Sequence, residues 1–158
     1  MNSVIKALSY DENIIQLRLH NIPKHPLSVS KIFKILNDDG INVDMISQVV
    51  SEDAVILDLT VDQSAQKEVN KAIEELTDEF EGIEIYQSRK FSKVALGGSL
   101  MEQTPGVAYK VFDMLGKNNI HFYQVTTSKR TISFVIKKED LDKTLKLVHG
   151  TYDIQEEK

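Results

Sequence analysis

Apolar residues fall at helical spacing twice in this chain, in two blocks separated by a constant offset. Val29, Ile32, Phe33 and Leu36 sit at i, i+3, i+4 and i+7, and Ala108, Val111, Phe112 and Leu115 repeat the series 79 residues later. Such a stripe is the buried face of an amphipathic helix. The surrounding blocks align without a gap: PLSVSKIFKILNDDGIN (26–42) against PGVAYKVFDMLGKNNIH (105–121). Pro26 pairs with Pro105, Lys31 with Lys110, Phe33 with Phe112, Leu36 with Leu115 and Ile41 with Ile120. A proline or small residue precedes each helix, and polar turn residues follow it.

The flanks repeat as well. Strand-like runs precede the helices at Ile14–His20 and Ser92–Leu96. Two more follow each helix, at Val43–Val50 and Ala54–Val61, then at Phe122–Thr127 and Thr131–Ile136. Ser51-Glu52-Asp53 and Ser128-Lys129-Arg130 are the expected hairpin turns. A second helix is predicted over about 64–79 and 138–148, and a last strand over Ile83–Gln87 and Tyr152–Ile154. Each copy therefore reads βαββαβ, the split-βαβ or ferredoxin-like pattern. The fold class is α+β: two such domains in tandem, each an antiparallel sheet with both helices on one face. The opening MNSVIKALSY is a spare strand. The expected organisation is a junction strand over 1–12 that pairs with the second domain, a first domain over 13–88 and a second over 89–158.

Composition narrows the function. The chain has 158 residues, no cysteine and a net charge of −5. Lack of cysteine excludes a disulfide framework, a thiolate metal site and a thiol nucleophile, and fits a cytoplasmic protein. No apolar run reaches the roughly 20 residues that span a bilayer, and the N-terminus does not read as a signal peptide. Residues 51–90 carry 11 acidic and 4 basic side chains, which reads as a solvated face. A nucleic-acid partner would need a basic stripe instead. His20, His25, His121 and His149 have no metal-ligand spacing. No cofactor is expected.

One stretch invites a ligand. In KVALGGSLMEQTPGVAYKVF (93–112) a strand ends in Gly97-Gly98, and a helix starts soon after. Copy one has Arg18 and Leu19 at those positions, so the fold is not expected to require the glycines. Neither nucleotide-loop glycine spacing is present. A strand-to-helix turn with unpaired N–H groups suits a small carboxylate, and an amino acid is the simplest such ligand.

GINVDMISQVV (40–50), placed after PLSVSKIFKILNDD, resembles the first ACT domain of the aspartate kinase family. KVALGGSLMEQTPGVAYKVFDMLGKNNI resembles the second, and TISFVIKKEDLDKTLKLVHGTYDI (131–154) resembles the family's C-terminus. VIKALSYDENIIQLRL (4–19) is similar to the strand leading into the first domain. The resemblance implies the non-catalytic regulatory part of an enzyme that phosphorylates aspartate with ATP, as a separate small subunit or a fragment. It also implies end-product effectors, lysine and/or threonine, held where ACT domains meet in a homodimer. The kinase catalytic domain or subunit would be the partner.

Carried over residue by residue, the first effector loop spans Lys24, Pro26, Leu27, Ser28 and Val29, with Asn42, Asp44 and Gln48 on the following strand. The family has an acid where Lys24 stands and a glycine where Leu27 stands. In the second copy the matching residues are Thr104, Gly106, Val107 and Ala108, with Thr127, Ser128 and Lys129. Lys129 replaces a family acid. These charge reversals leave two readings: an amino-acid sensor, or an ACT module that only dimerises and scaffolds.

Overall fold

A computed structural model describes residues 4–158. The first three residues of the expected junction strand lie outside the described residues. Along the chain run β1 (Ala7–Asp11), β2 (Ile14–Ile22), α1 (Pro26–Asp38), β3 (Val43–Val50), β4 (Val55–Asp62), α2 (Gln66–Glu79) and β5 (Glu84–Ser88). Then follow β6 (Phe91–Gly97), α3 (Val107–Lys117), β7 (Phe122–Thr127), β8 (Thr131–Lys137), α4 (Leu141–Thr151) and the two-residue β9 (Glu156–Glu157). They form two compact units, Asn13–Arg89, and residues 4–12 with Lys90–Lys158.

In the first unit the strand order is β3-β4-β2-β5, and the neighbouring pairs are antiparallel. Alternate residues of the central strands, Leu17 and Leu19 on β2 and Leu57 and Leu59 on β4, meet Ile32 and Leu36 of α1 and Val69, Ala72 and Leu76 of α2. Both helices thus cover one face of the sheet. Each fully buried Leu or Ile contributes roughly 1.5–3 kcal/mol. The other face carries a cross-strand ion pair, Arg18 Nε to Asp58 Oδ1 at 2.6 Å, from residues directly opposite in register.

Helix ends follow local chemistry. Asp62 Oδ1 accepts the Ser64 N–H at 2.8 Å and opens the 3₁₀ turn before α2. That hydrogen bond lowers the Asp62 carboxyl below its usual range. A lowered folded value stabilises above the unfolded one, and the benefit is lost as pH falls through the folded value. Asp62→Ala is therefore expected to lower the melting temperature at about pH 7. The gap from wild type should close on acidification to about pH 2, below the aspartate range. Calorimetric melts at both pH values check it. At the other end of α1, Gly40 takes φ +75°, and Ile41 N–H reaches back to Leu36 O at 2.9 Å. Asn119 (φ +57°) and the 2.9 Å bond from Ile120 N–H to Leu115 O repeat this stop after α3.

The second unit has the order β7-β8-β6-β1-β9. Its core joins Leu8, Val94, Leu96, Ile132, Phe134 and Ile136 from one sheet face to Val111, Leu115, Leu141 and Val148 from the helices. β1 pairs antiparallel with β6, in the place that β5 takes beside β2 in the first unit. The strand expected at Tyr152–Ile154 is not there. Tyr152 N–H closes α4 onto Val148 O at 2.9 Å, and Tyr152 and Ile154 pack their side chains on the core without strand pairing. The place that strand would take beside β6 belongs to β1, and only β9 follows, parallel to β1 at the sheet edge. No helix among the described residues is long and apolar enough to cross a membrane.

Candidate functional site

Three residues join β2 to α1, and the helix start is built by His25, whose Nδ1 accepts the Leu27 N–H at 3.1 Å, with Pro26 at the first helical position. Lys24 Nζ donates to the Glu52 carbonyl at 3.1 Å, so it reaches the tip of the β3–β4 hairpin. Leu27 is 58% exposed, whereas Ser28 is buried and Val29 packs on the core. The loop residues named from the sequence thus divide: Lys24, Pro26 and Leu27 face solvent, and Ser28 and Val29 turn inward.

Asn42, Asp44 and Gln48 are exposed beside or on β3, an edge strand. The β3–β4 register shifts between Val43 and Ile46, and there the Met45 N–H is taken by Thr60 Oγ1 at 3.0 Å rather than by a carbonyl. Asp44 lies within that irregularity. Gln48 pairs with Leu57 and so shares the helix-bearing face. Ile46, Val49 and Val50 are exposed along the same edge strand.

In the second unit the glycine pair has a structural task. Lys6 N–H donates to Gly97 O at 2.9 Å, and Gly98 N–H donates to Arg130 O at 3.0 Å. A Cβ on Gly98 would overlap the Val4 carbonyl oxygen, so the glycine admits the N-terminal segment. The expectation that the fold does not require the glycines is therefore overturned at Gly98, because the repeat comparison could not show the N-terminal segment crossing there. A 3₁₀ turn, Met101–Gln103, follows, and Thr104 Oγ1 donates to Leu100 O at 2.8 Å. α3 starts two positions later than α1 by the repeat, at Val107. Gly106 stands before it at φ +86°, and no side chain caps the helix.

Thr127, Ser128 and Lys129 are exposed at the β7–β8 hairpin. Lys129 Nζ lies 3.3 Å from Glu102 Oε1 in the 3₁₀ turn. Both copies therefore tie the loop before the first helix to the hairpin tip, with the lysine on the loop in one and on the hairpin in the other. The two lysines that reverse the family's charge are engaged inside their own domains.

Thr104 and Val107 open instead onto a cleft of about 770 Å³ between the start of α3 and the end of α4. Lys110, Asp113, Tyr152 and Asp153 also line it. Of these the sequence marked Lys110 only as the repeat partner of Lys31, and Tyr152 and Asp153 only as strand residues. The signal was available in the repeat: Tyr152 follows α4 as Phe80 follows α2.

Residues 94–152 match the ACT domain family. The fold is a tandem pair of ACT domains. The ACT pair is 28% identical to aspartokinase 2 of Bacillus subtilis (strain 168) over 97% of its length, and it spans 38% of that relative. Its fold superposes on the ligand-free regulatory subunit of aspartate kinase from Thermus thermophilus with a TM-score of 0.85 at 28% identity, covering 93% of this chain and 97% of that one. E. coli aspartokinase III in complex with lysine and aspartate gives a TM-score of 0.72 at 25% identity, over 94% of this ACT pair and 33% of that chain. The ACT pair thus resembles the regulatory region of aspartate kinases.

Proposed function

We propose that this ACT pair senses an end-product amino acid, lysine or threonine, and exerts feedback control on aspartate phosphorylation by a kinase catalytic domain or subunit. The observation that carries it is the likeness to a regulatory subunit across both domains in order, at nearly equal length. An effector acts by binding one state of the enzyme better than the other, so recognition and regulation share one site. On this reading Asp44 pairs with the ligand's ammonium, Gln48 supplies an amide, and the loop from Lys24 to Val29 closes over the ligand. In the second copy Thr104, Gly106, Val107, Ala108, Thr127, Ser128 and Lys129 form the corresponding set. The exposed Ile46, Val49 and Val50 on edge strand β3 support a homodimer through the ACT domains.

The engaged lysines Lys24 and Lys129 support the second reading, a module that dimerises and scaffolds without an effector. Thermal melting separates the two. Lysine or threonine at about 100 times its dissociation constant should stabilise the chain by roughly 2.7 kcal/mol. Asp44→Ala should abolish most of that gain. Equal melts with and without either amino acid would leave only the scaffold. The chain alone should form no aspartyl phosphate from ATP and aspartate, and product formation would contradict a regulatory role.

A further inference from the structure

We infer that Thr60 is a positioning residue of the first copy's effector site: its hydroxyl holds the bulge in β3 that presents Asp44 to the ligand's ammonium. The inference rests on the reading of the chain as an amino-acid sensor, and it names a residue outside the loops and the edge strand on which that reading drew.

Val43 pairs with Val61 and Ile46 with Leu59, so two residues of β3, Asp44 and Met45, stand opposite Thr60 alone. That is a β-bulge, which interrupts the ladder of hydrogen bonds and re-aims a side chain. The two residues differ in setting. Met45 is 3% exposed and anchors the strand, whereas Asp44 is exposed. A buried backbone N–H that has lost its carbonyl must find another acceptor. Thr60 Oγ1 accepts the Met45 N–H at 3.0 Å, from a side chain with no exposed surface. Thr60 lies on β4, which runs between β3 and β2, and it stands opposite Gln16 of β2. Its branched side chain has few rotamers to choose from. A carboxylate one residue from this bond is thus fixed by the interior of the sheet, although it stands at the sheet's edge.

The second copy shows that the bulge itself does not need the hydroxyl. There Phe122 pairs with Ile136 and Gln124 with Val135, so Tyr123 is the additional residue. Tyr123 and Gln124 stand 79 residues after Asp44 and Met45, and Val135 takes the place of Thr60. Valine has the shape of threonine and accepts no hydrogen bond. Tyr123 instead packs its ring edge-on against Phe91 of β6, with centroids 5.0 Å apart. An aromatic residue can fix a bulge by packing. An acid that must stay open to a ligand cannot, and its backbone has to be held from behind. The copy with the acid is the copy with the hydroxyl, and a binding group held in place before its ligand arrives binds more tightly.

Titration calorimetry of the full chain with L-lysine and with L-threonine tests the role, with melting curves to show that each variant is folded. Thr60→Val removes the oxygen and keeps the shape. For the amino acid that the wild-type chain binds, it should raise the dissociation constant by about tenfold, and Thr60→Ser should restore most of the affinity. Asp44→Asn keeps the size of that side chain and removes its charge. Added to Asp44→Asn, Thr60→Val should weaken binding by less than about twofold, because the carboxylate that it positions is gone. Undiminished affinity in Thr60→Val would overturn the inference and leave the sensor reading standing. An equal loss in both backgrounds would also overturn it, since the hydroxyl would then support the fold and not Asp44. Should valine unfold the chain, Thr60→Cys, whose thiol accepts only weakly, makes the same comparison. Binding of neither amino acid to the folded wild-type chain would overturn the inference together with the sensor reading.

Discussion

A chain carrying Gly98→Ala is expected to be destabilised by about 3 kcal/mol or more, among the largest effects a single methyl group can have here. The methyl would overlap the carbonyl oxygen of Val4 and press on its carbon, which are backbone atoms and not the end of a flexible side chain. Relief requires the segment before β1 to move. That segment is held by the Lys6 N–H to Gly97 O bond, and β1 is the neighbour of β6 in the second sheet. Urea unfolding of the full chain measures the loss. Gly116→Ala is the control: it lies in α3, and nothing stands within 4 Å of the new methyl. It should stabilise by about 0.5–1 kcal/mol, since glycine is a poor helix former. A Gly98→Ala midpoint within error of wild type would mean that the N-terminal segment does not cross there.

Phe134→Ala should cost about 3–5 kcal/mol. Phe134 is the largest fully buried side chain and sits on β8, between Val94 on β6 and Val125 on β7. The lost transfer energy adds to that of a cavity which a two-layer sheet-and-helix core cannot fill without moving α3 or α4. Phe134→Leu should recover much of the loss, because it refills part of the volume. Denaturant midpoints with unchanged slopes would confirm a stability effect alone. A loss under about 1 kcal/mol for the alanine variant would show that the core closes around the gap.

The repeat was legible because helices and strands write their buried faces into the sequence at different periods. Val29, Ile32 and Leu36, with Val111 and Leu115 in the second copy, required no knowledge of distant contacts, whereas Ala108, expected on the same buried face, is exposed because α3 packs through Val107 instead. Gly97 and Gly98 did require such knowledge. Read locally, a glycine pair between a strand and a helix suggests a ligand loop. Its actual partner is Val4, more than 90 residues earlier in the sequence. Tyr152 and Ile154 misled for a related reason: apolar spacing marks contact with a core but cannot say whether the backbone also joins a sheet. The candidate site was legible in its loops, where proline and small residues announce a helix start. The bonds of Lys24 and Lys129 were hidden, because each joins two loops that sequence spacing alone does not bring together.

The central claim is that the chain senses an amino acid, and calorimetric titration of the wild-type chain with lysine and with threonine tests it most directly. The account predicts saturable heat with one of them, lost in Asp44→Ala and kept in Lys110→Ala. Absence of heat from both amino acids at millimolar concentration, with the chain folded by its melting curve, would contradict it.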